Sequence, residues 1–203
     1  MVPIDLTGNG LLDLVAMWTW LENLGNGSFR SHKIADRYRW REENPSGFKG
    51  GEHLVADING NGLPDVVACE EHVEWGADPR IARYVRLAWF EHPGDPRQTP
   101  WEMHVIDCIR SPHSLAIADL DGDGELEIVC GEHDPFKPYR ARTKVYVYKR
   151  ADPKGRAWTR HAIDDRFDNH VGTRLIELGG GQLGIISHGW REPRYVHLWE
   201  PEV

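Results

Sequence analysis

Apolar residues fall in short runs along this chain, separated by stretches rich in Gly, Asp, Asn and Pro. Leu14-Val15-Ala16, Val66-Val67-Ala68, Ile128-Val129-Cys130 and Ile185-Ile186-Ser187 each follow a glycine-rich polar cluster. A second run follows each of these, at Trp20 to Asn23, Leu87 to Glu91, Val145 to Lys149 and Val196 to Glu200. A Gly/Pro/Asp turn then leads to a third, at Phe29 to Ile34, Trp101 to Ile106 and Trp158 to Ile163. A further run, such as Ser114 to Ala118, precedes each later cluster. Short runs bounded by turn residues, with no helical period, predict β-strands, four to a unit.

The units are copies of one another. Asp57-Ile58-Asn59-Gly60-Asn61-Gly62-Leu63-Pro64-Asp65 recurs as Asp119-Leu120-Asp121-Gly122-Asp123-Gly124-Glu125-Leu126-Glu127 and as Asp5-Leu6-Thr7-Gly8-Asn9-Gly10-Leu11-Leu12-Asp13. A degenerate fourth copy, Glu177 to Leu183, is one residue short and has lost the acidic side chains within the loop. Four-stranded units repeating every ~50–60 residues predict an all-β fold, a β-propeller of about four antiparallel blades. The repeats divide the chain at about 1–50, 51–110, 111–167 and 168–203, as a single propeller array. The first has almost no strand before Asp5 and the last stops before an outer strand, which predicts a segment of a larger propeller.

Counted from its first Asp, each of the three intact loops places an oxygen donor at positions 1, 3, 5 and 9. These are Asp5, Thr7, Asn9 and Asp13; Asp57, Asn59, Asn61 and Asp65; and Asp119, Asp121, Asp123 and Glu127. Position 7, at Leu11, Leu63 or Glu125, can add its backbone carbonyl, and glycines at positions 4 and 6 permit the tight turn. Alternate oxygen ligands around a small loop suit a hard cation of high coordination number, so up to three Ca²⁺ are expected, one per loop. Position 12 is Ala16, Ala68 or Cys130 and strands follow, which rules out an EF-hand. The first loop carries the least charge and is expected to bind weakest.

The net charge of −8 argues against a nucleic-acid partner, and three Ca²⁺ would bring it to −2. With 203 residues, 40% of them hydrophobic, and nine Trp, the chain can fill a sizeable core. No run is apolar and long enough to span a membrane as a helix. Met1 to Asp5 shows no signal peptide, yet the calcium range such loops serve predicts an extracellular or periplasmic setting. Three cysteines leave an odd thiol; Cys69 and Cys130 are expected at matching repeat positions, as small buried side chains.

The loops and the strands after them resemble FG-GAP or VCBS repeats, which implies the propeller fold and the calcium role for the ligand positions named above. More loosely, the GEHD, HSLAIADLDGDG and SHGW segments resemble the propeller of aldos-2-ulose dehydratases, and propeller-type polysaccharide lyases are a second likeness.

Because each calcium loop joins strands 1 and 2, the start of strand 1 and the end of strand 2 meet on the opposite face. Histidines occur at both places: His53 with His72, His113 with His133, and His170 with His188. The loops leaving that face contain Tyr139, Arg140, Arg142, Trp190 and Arg191. Imidazole can act as a general base or bind Zn²⁺, Arg suits carboxylates, and aromatic faces suit sugar rings. The expectation is a rim that binds a uronate or keto-sugar, or eliminates from it as a carbon–oxygen lyase or dehydratase. The alternative is a non-catalytic adhesion or scaffold module with a carbohydrate or protein ligand. A second copy of the chain or the rest of a larger propeller is the further expected partner. His32, His104 and His161, in outer strands, are expected to be structural.

Overall fold

The computed structural model describes residues 1–35, 50–70, 84–133, 143–166, 171–189 and 195–201. They form four antiparallel sheets and no helix. The first holds β1 (Val2–Ile4), β2 (Asp13–Ala16), β3 (Thr19–Asn23) and β4 (Phe29–Lys33). The second holds β5 (Gly50–Ala56), β6 (Asp65–Glu70), β7 (Tyr84–Glu91) and β8 (Glu102–Arg110). The third holds β9 (Pro112–Ala118), β10 (Glu127–Glu132), β11 (Val145–Arg150) and β12 (Trp158–Asp164). The fourth has three described strands, β13 (Val171–Gly179), β14 (Gln182–His188) and β15 (Val196–Trp199). Each is ordered as in the chain, the up-and-down order of a propeller blade.

The blades pack face to face through alternate residues of their strands. Val66 and Ala68 of β6 face the first blade, while Val67 and Cys69 face the third. Ile128 and Cys130 of β10 turn back toward the second blade, and Val129 toward the fourth. Among the described residues, core clusters join the first blade to the second, the second to the third and the third to the fourth; none joins the fourth to the first. The innermost strands neighbour one another, with β9 between β5 and β13.

One inter-blade contact repeats. Trp20 donates its indole N–H to the Pro96 carbonyl in the β7–β8 turn of the next blade, at 3.2 Å, and Trp101 donates to the same oxygen at 3.1 Å. Trp89 and Trp158 do the same at Gly155, both at 2.9 Å, in the β11–β12 turn. Trp20 also stacks on the histidine opposite it, His32, at a ring distance of 4.5 Å, and Trp89 packs tilted against His104 at 4.4 Å. An Arg from the neighbouring turn completes the joint: Arg97 pairs with Glu22, and Arg156 with Glu91. His32 and His104 bond to those same carboxylates, so both are structural, as expected. Phe29 occupies the place of Trp101 but is 46% exposed against 3%, because no described blade covers that side.

Two expectations shift. Position 9 of the loops aligns Cys130 with Ala68 rather than with Cys69, since Ala68 pairs with Ala88 one step after Val67↔Trp89, and Cys130 with Tyr146 one step after Val129↔Val147. A one-residue offset reverses the face of a strand residue. Both thiols are fully buried in the layer between the second and third blades. The outer strand β8 also runs on to Arg110, helped by a register shift between Leu87 and Ala88.

Candidate metal loops and histidine rim

Every intact loop is built around its first carboxylate. Asp5 accepts N–H bonds from Gly8 and Asn9 on Oδ1 and from Gly10 on Oδ2, and these bonds hold its pKa below the ordinary value. Asp57 accepts from Asn61 and Gly62, and Asp119 from Gly122, Asp123 and Gly124. The turn demands left-handed backbone at positions 4 and 6; in the third loop Gly122 has φ 78° and Gly124 φ 88°.

The loops differ at position 9. Asp13 accepts from Leu6 N–H at 3.0 Å and Asn23 N–H at 2.7 Å; Asp65 accepts from Ile58 at 2.9 Å and His92 at 2.8 Å. Both oxygens of each Asp tie the loop to the end of the third strand. Burial pushes the Asp65 pKa up to about 6. Glu127, one methylene longer, accepts from Leu120 N–H at 2.7 Å with Oε2 only. Its Oε1 is buried without a hydrogen-bond partner, and the nearest cation, Lys149 Nζ, stands 4.0 Å away. Carboxylate oxygens of Asp119, Asp121 and Glu127 lie within 4.8 Å of one another. This all-oxygen donor set, with one buried oxygen that accepts no hydrogen bond, fits Ca²⁺. Glu127 is 3% exposed, and burial raises its pKa.

Neighbouring blades hold the loops. His92 donates Nε2–H to the Leu6 carbonyl at 3.1 Å, and Arg150, at the same place in the next blade, donates to the Ile58 carbonyl and pairs with Glu125. Position 2 of one loop is therefore fixed by the following blade. The fourth loop keeps only its glycine turn, with Gly179, Gly180 and Gly181 all at positive φ.

On the opposite face the histidines do not share one register. His53 pairs with Ala68, two positions nearer the loop than His113 in its own strand. His53 donates Nε2–H to the Val15 carbonyl of the first blade at 3.2 Å, and burial lowers its pKa. His188 is exposed and bonds through Nδ1 to the Gly189 carbonyl at 2.9 Å. His113 and His133 do come together, edge to face, with ring centroids 5.5 Å apart. His133 is 2% exposed, and its N–H bonds to the Ser111 carbonyl at 3.0 Å. His72, His170, Tyr139, Arg140, Arg142, Trp190 and Arg191 lie outside the described residues.

Ser111 and Glu132 complete this corner. Ser111 holds φ 37°, a strained region for a non-glycine residue, with its Oγ buried and unpartnered. Glu132 ends β10 as Glu70 ends β6, but their partners differ. Arg86 grips both oxygens of Glu70, donating from Nε at 2.8 Å and from Nη2 at 2.6 Å. Lys144 stands where Arg86 does and gives Glu132 only its backbone N–H at 3.0 Å; Arg110 N–H supplies the other bond at 2.9 Å. Burial pushes the Glu132 pKa up to about 7. The repeat itself carried this signal, since Glu70 and Glu132 share one repeat position while Arg86 is replaced by Lys144.

The loop-and-strand unit from Asp57 to Cys130 matches the family model of the FG-GAP-like repeat over residues 57–130. The match opens on the first ligand position of the second loop and closes on the strand behind the third, so the four sheets are blades of a β-propeller. A stretch of 111 residues is 24% identical to the aldos-2-ulose dehydratase of Phanerodontia chrysosporium, covering 51% of this chain and 12% of that protein. The chain thus matches about an eighth of that relative's length.

Proposed function

We propose that this FG-GAP-like chain is a calcium-stabilised propeller segment whose face opposite the calcium loops recognises a sugar derivative, a uronate or keto-sugar. The observation that carries the calcium is the buried Glu127 Oε1, unpartnered beside Asp119 and Asp121. Asp5, Thr7, Asn9, Leu11 and Asp13, with Asp57, Asn59, Asn61, Leu63 and Asp65, supply the two weaker loops. Asp119, Asp121, Asp123, Glu125 and Glu127 supply the strongest. Calcium in that range favours an extracellular or periplasmic setting.

The sugar-directed face rests on the third-blade corner: a strained Ser111, a buried carboxyl at Glu132 and the His113–His133 pair. Such groups cluster where structure is held for recognition or chemistry. Similarity to an aldos-2-ulose dehydratase supports elimination as the chemistry. There an imidazole removes the proton next to a carbonyl, the electron pair forms the new C=C bond, and the hydroxyl on the next carbon takes a proton from the imidazolium and leaves as water. Zinc would need a ligand from beyond the described residues, among which no third acidic, Cys or His ligand atom joins the two imidazoles.

A second reading, a non-catalytic adhesion or scaffold module, is favoured by His53, whose imidazole is spent on the first blade's backbone. Binding of uronates and keto-sugars to the parent and to His113→Ala and His133→Ala separates the two. Loss of binding with an unchanged calcium-dependent melt supports the site. Early melting of both variants, with no binding to the parent, leaves the module.

A further inference from the structure

One side chain of each third strand lies at its loop end, two residues beyond the Trp20↔His32, Trp89↔His104 and Val147↔His161 pairs. That side chain is Glu22, Glu91 or Lys149. In the second blade Asn59, at position 3, donates Nδ2–H to Glu91 Oε1 at 3.0 Å. In the third blade both sides of the contact are inverted. Position 3 is Asp121, position 5 is Asp123, and Lys149 donates to Oδ2 of each, at 2.6 Å for Asp123. Its ammonium is also the cation nearest the unpartnered Glu127 Oε1, at 4.0 Å.

The third loop carries four acids at positions 1, 3, 5 and 9 where each of the first two carries two. In the first two blades Glu22 and Glu91 are paired with Arg97 and Arg156, whereas in the third Lys149 pairs with the loop itself. Like charges crowded on a nine-residue turn repel, and here the lysine relieves them. A calcium ion at this loop would need the same Asp121 and Asp123 oxygens and would stand within a few ångströms of the ammonium, so the two cations compete.

We propose that Lys149 is a built-in counter-ion of the third loop, holding its turn without metal and weakening calcium binding there until the ion displaces it. The competitive half rests on the calcium reading above; the counter-ion half does not.

The test uses the 203-residue chain and its Lys149→Met variant, with calcium titrated calorimetrically and melts recorded in chelator. Loss of the competing charge should tighten one calcium site by about tenfold and lower the melting temperature in chelator. Equal affinity together with equal melts in chelator overturns the proposal. Amine acetylation of Lys149 in the unmutated protein, followed by mass spectrometry, gives an arm free of folding effects. Lys149 should react slowly in chelator and faster with calcium; calcium that binds without raising its reactivity also overturns the competition. If no calcium binds to either protein, the calcium reading falls, and the chelator melt alone decides the counter-ion role.

Discussion

Glu132 offers a sharp test of the rim, because its burial sets a pH dependence of known sign. Its carboxyl is 3% exposed, accepts one backbone N–H on each oxygen, and has no ion-pair partner among the described residues. Burial moves its pKa from the ordinary 4.5 to about 7 in the folded chain. Between those values the folded state holds a proton that the unfolded state has lost. The group therefore contributes stability below about pH 4.5 that is lost as pH rises through about 7. Each tenfold change in proton affinity is worth about 1.4 kcal/mol, so the loss approaches about 3 kcal/mol. Glu132→Gln removes the titration but turns one amide N–H donor against an NH₂ group, costing about 1–3 kcal/mol at every pH. Urea unfolding of both proteins in chelator, followed by circular dichroism, should show the parent clearly ahead at pH 5. The gap should close or invert by pH 8. A gap independent of pH would show that Glu132 ionises normally and would remove the main electrostatic support for the third-blade corner.

Three further outcomes follow from the contacts. Trp89→Phe should cost about 2–4 kcal/mol, from a lost indole bond and a cavity in the layer between the second and third blades. Trp158→Phe should cost clearly less by the same urea assay, since Trp158 is only partly buried; equal costs would refute the inter-blade role of Trp89. Glu127→Gln should melt higher than the parent in chelator, having lost a buried carboxylate whose Oε1 accepts no hydrogen bond, yet gain less from added calcium. Asp65→Asn should melt lower with or without calcium, by about 1–3 kcal/mol, because both Asp65 oxygens serve backbone N–H groups.

The blades and loops were legible because their signals are local: glycines at fixed offsets, acids at alternate positions and a strand directly behind. The structure places Gly8, Gly10, Gly60, Gly62, Gly122 and Gly124 at positive φ as that spacing requires. What the sequence hid are pairings across blades. Nothing local marks Pro96 or Gly155 as the acceptor of two indoles, and nothing marks Ser111 as strained. Of the three histidine pairs only His113 and His133 lie wholly among the described residues, and His53 and His113 differ by two positions in register and so meet different neighbours. Lys149 and Lys144 were readable in principle, Lys149 standing where the first two blades keep Glu22 and Glu91 and Lys144 where the second has Arg86. Their meaning needed the loop and the carboxylate they face.

Calcium at the loops is the central claim, and a direct titration tests it. The purified chain, stripped with chelator, is titrated with Ca²⁺ in a calorimeter, and its melting temperature is followed alongside. The account predicts saturable binding of up to three ions, in the micromolar to millimolar range, with a rising melting temperature and the steepest response lost in Glu127→Gln. A flat titration, with identical melts in calcium and in chelator, would contradict it.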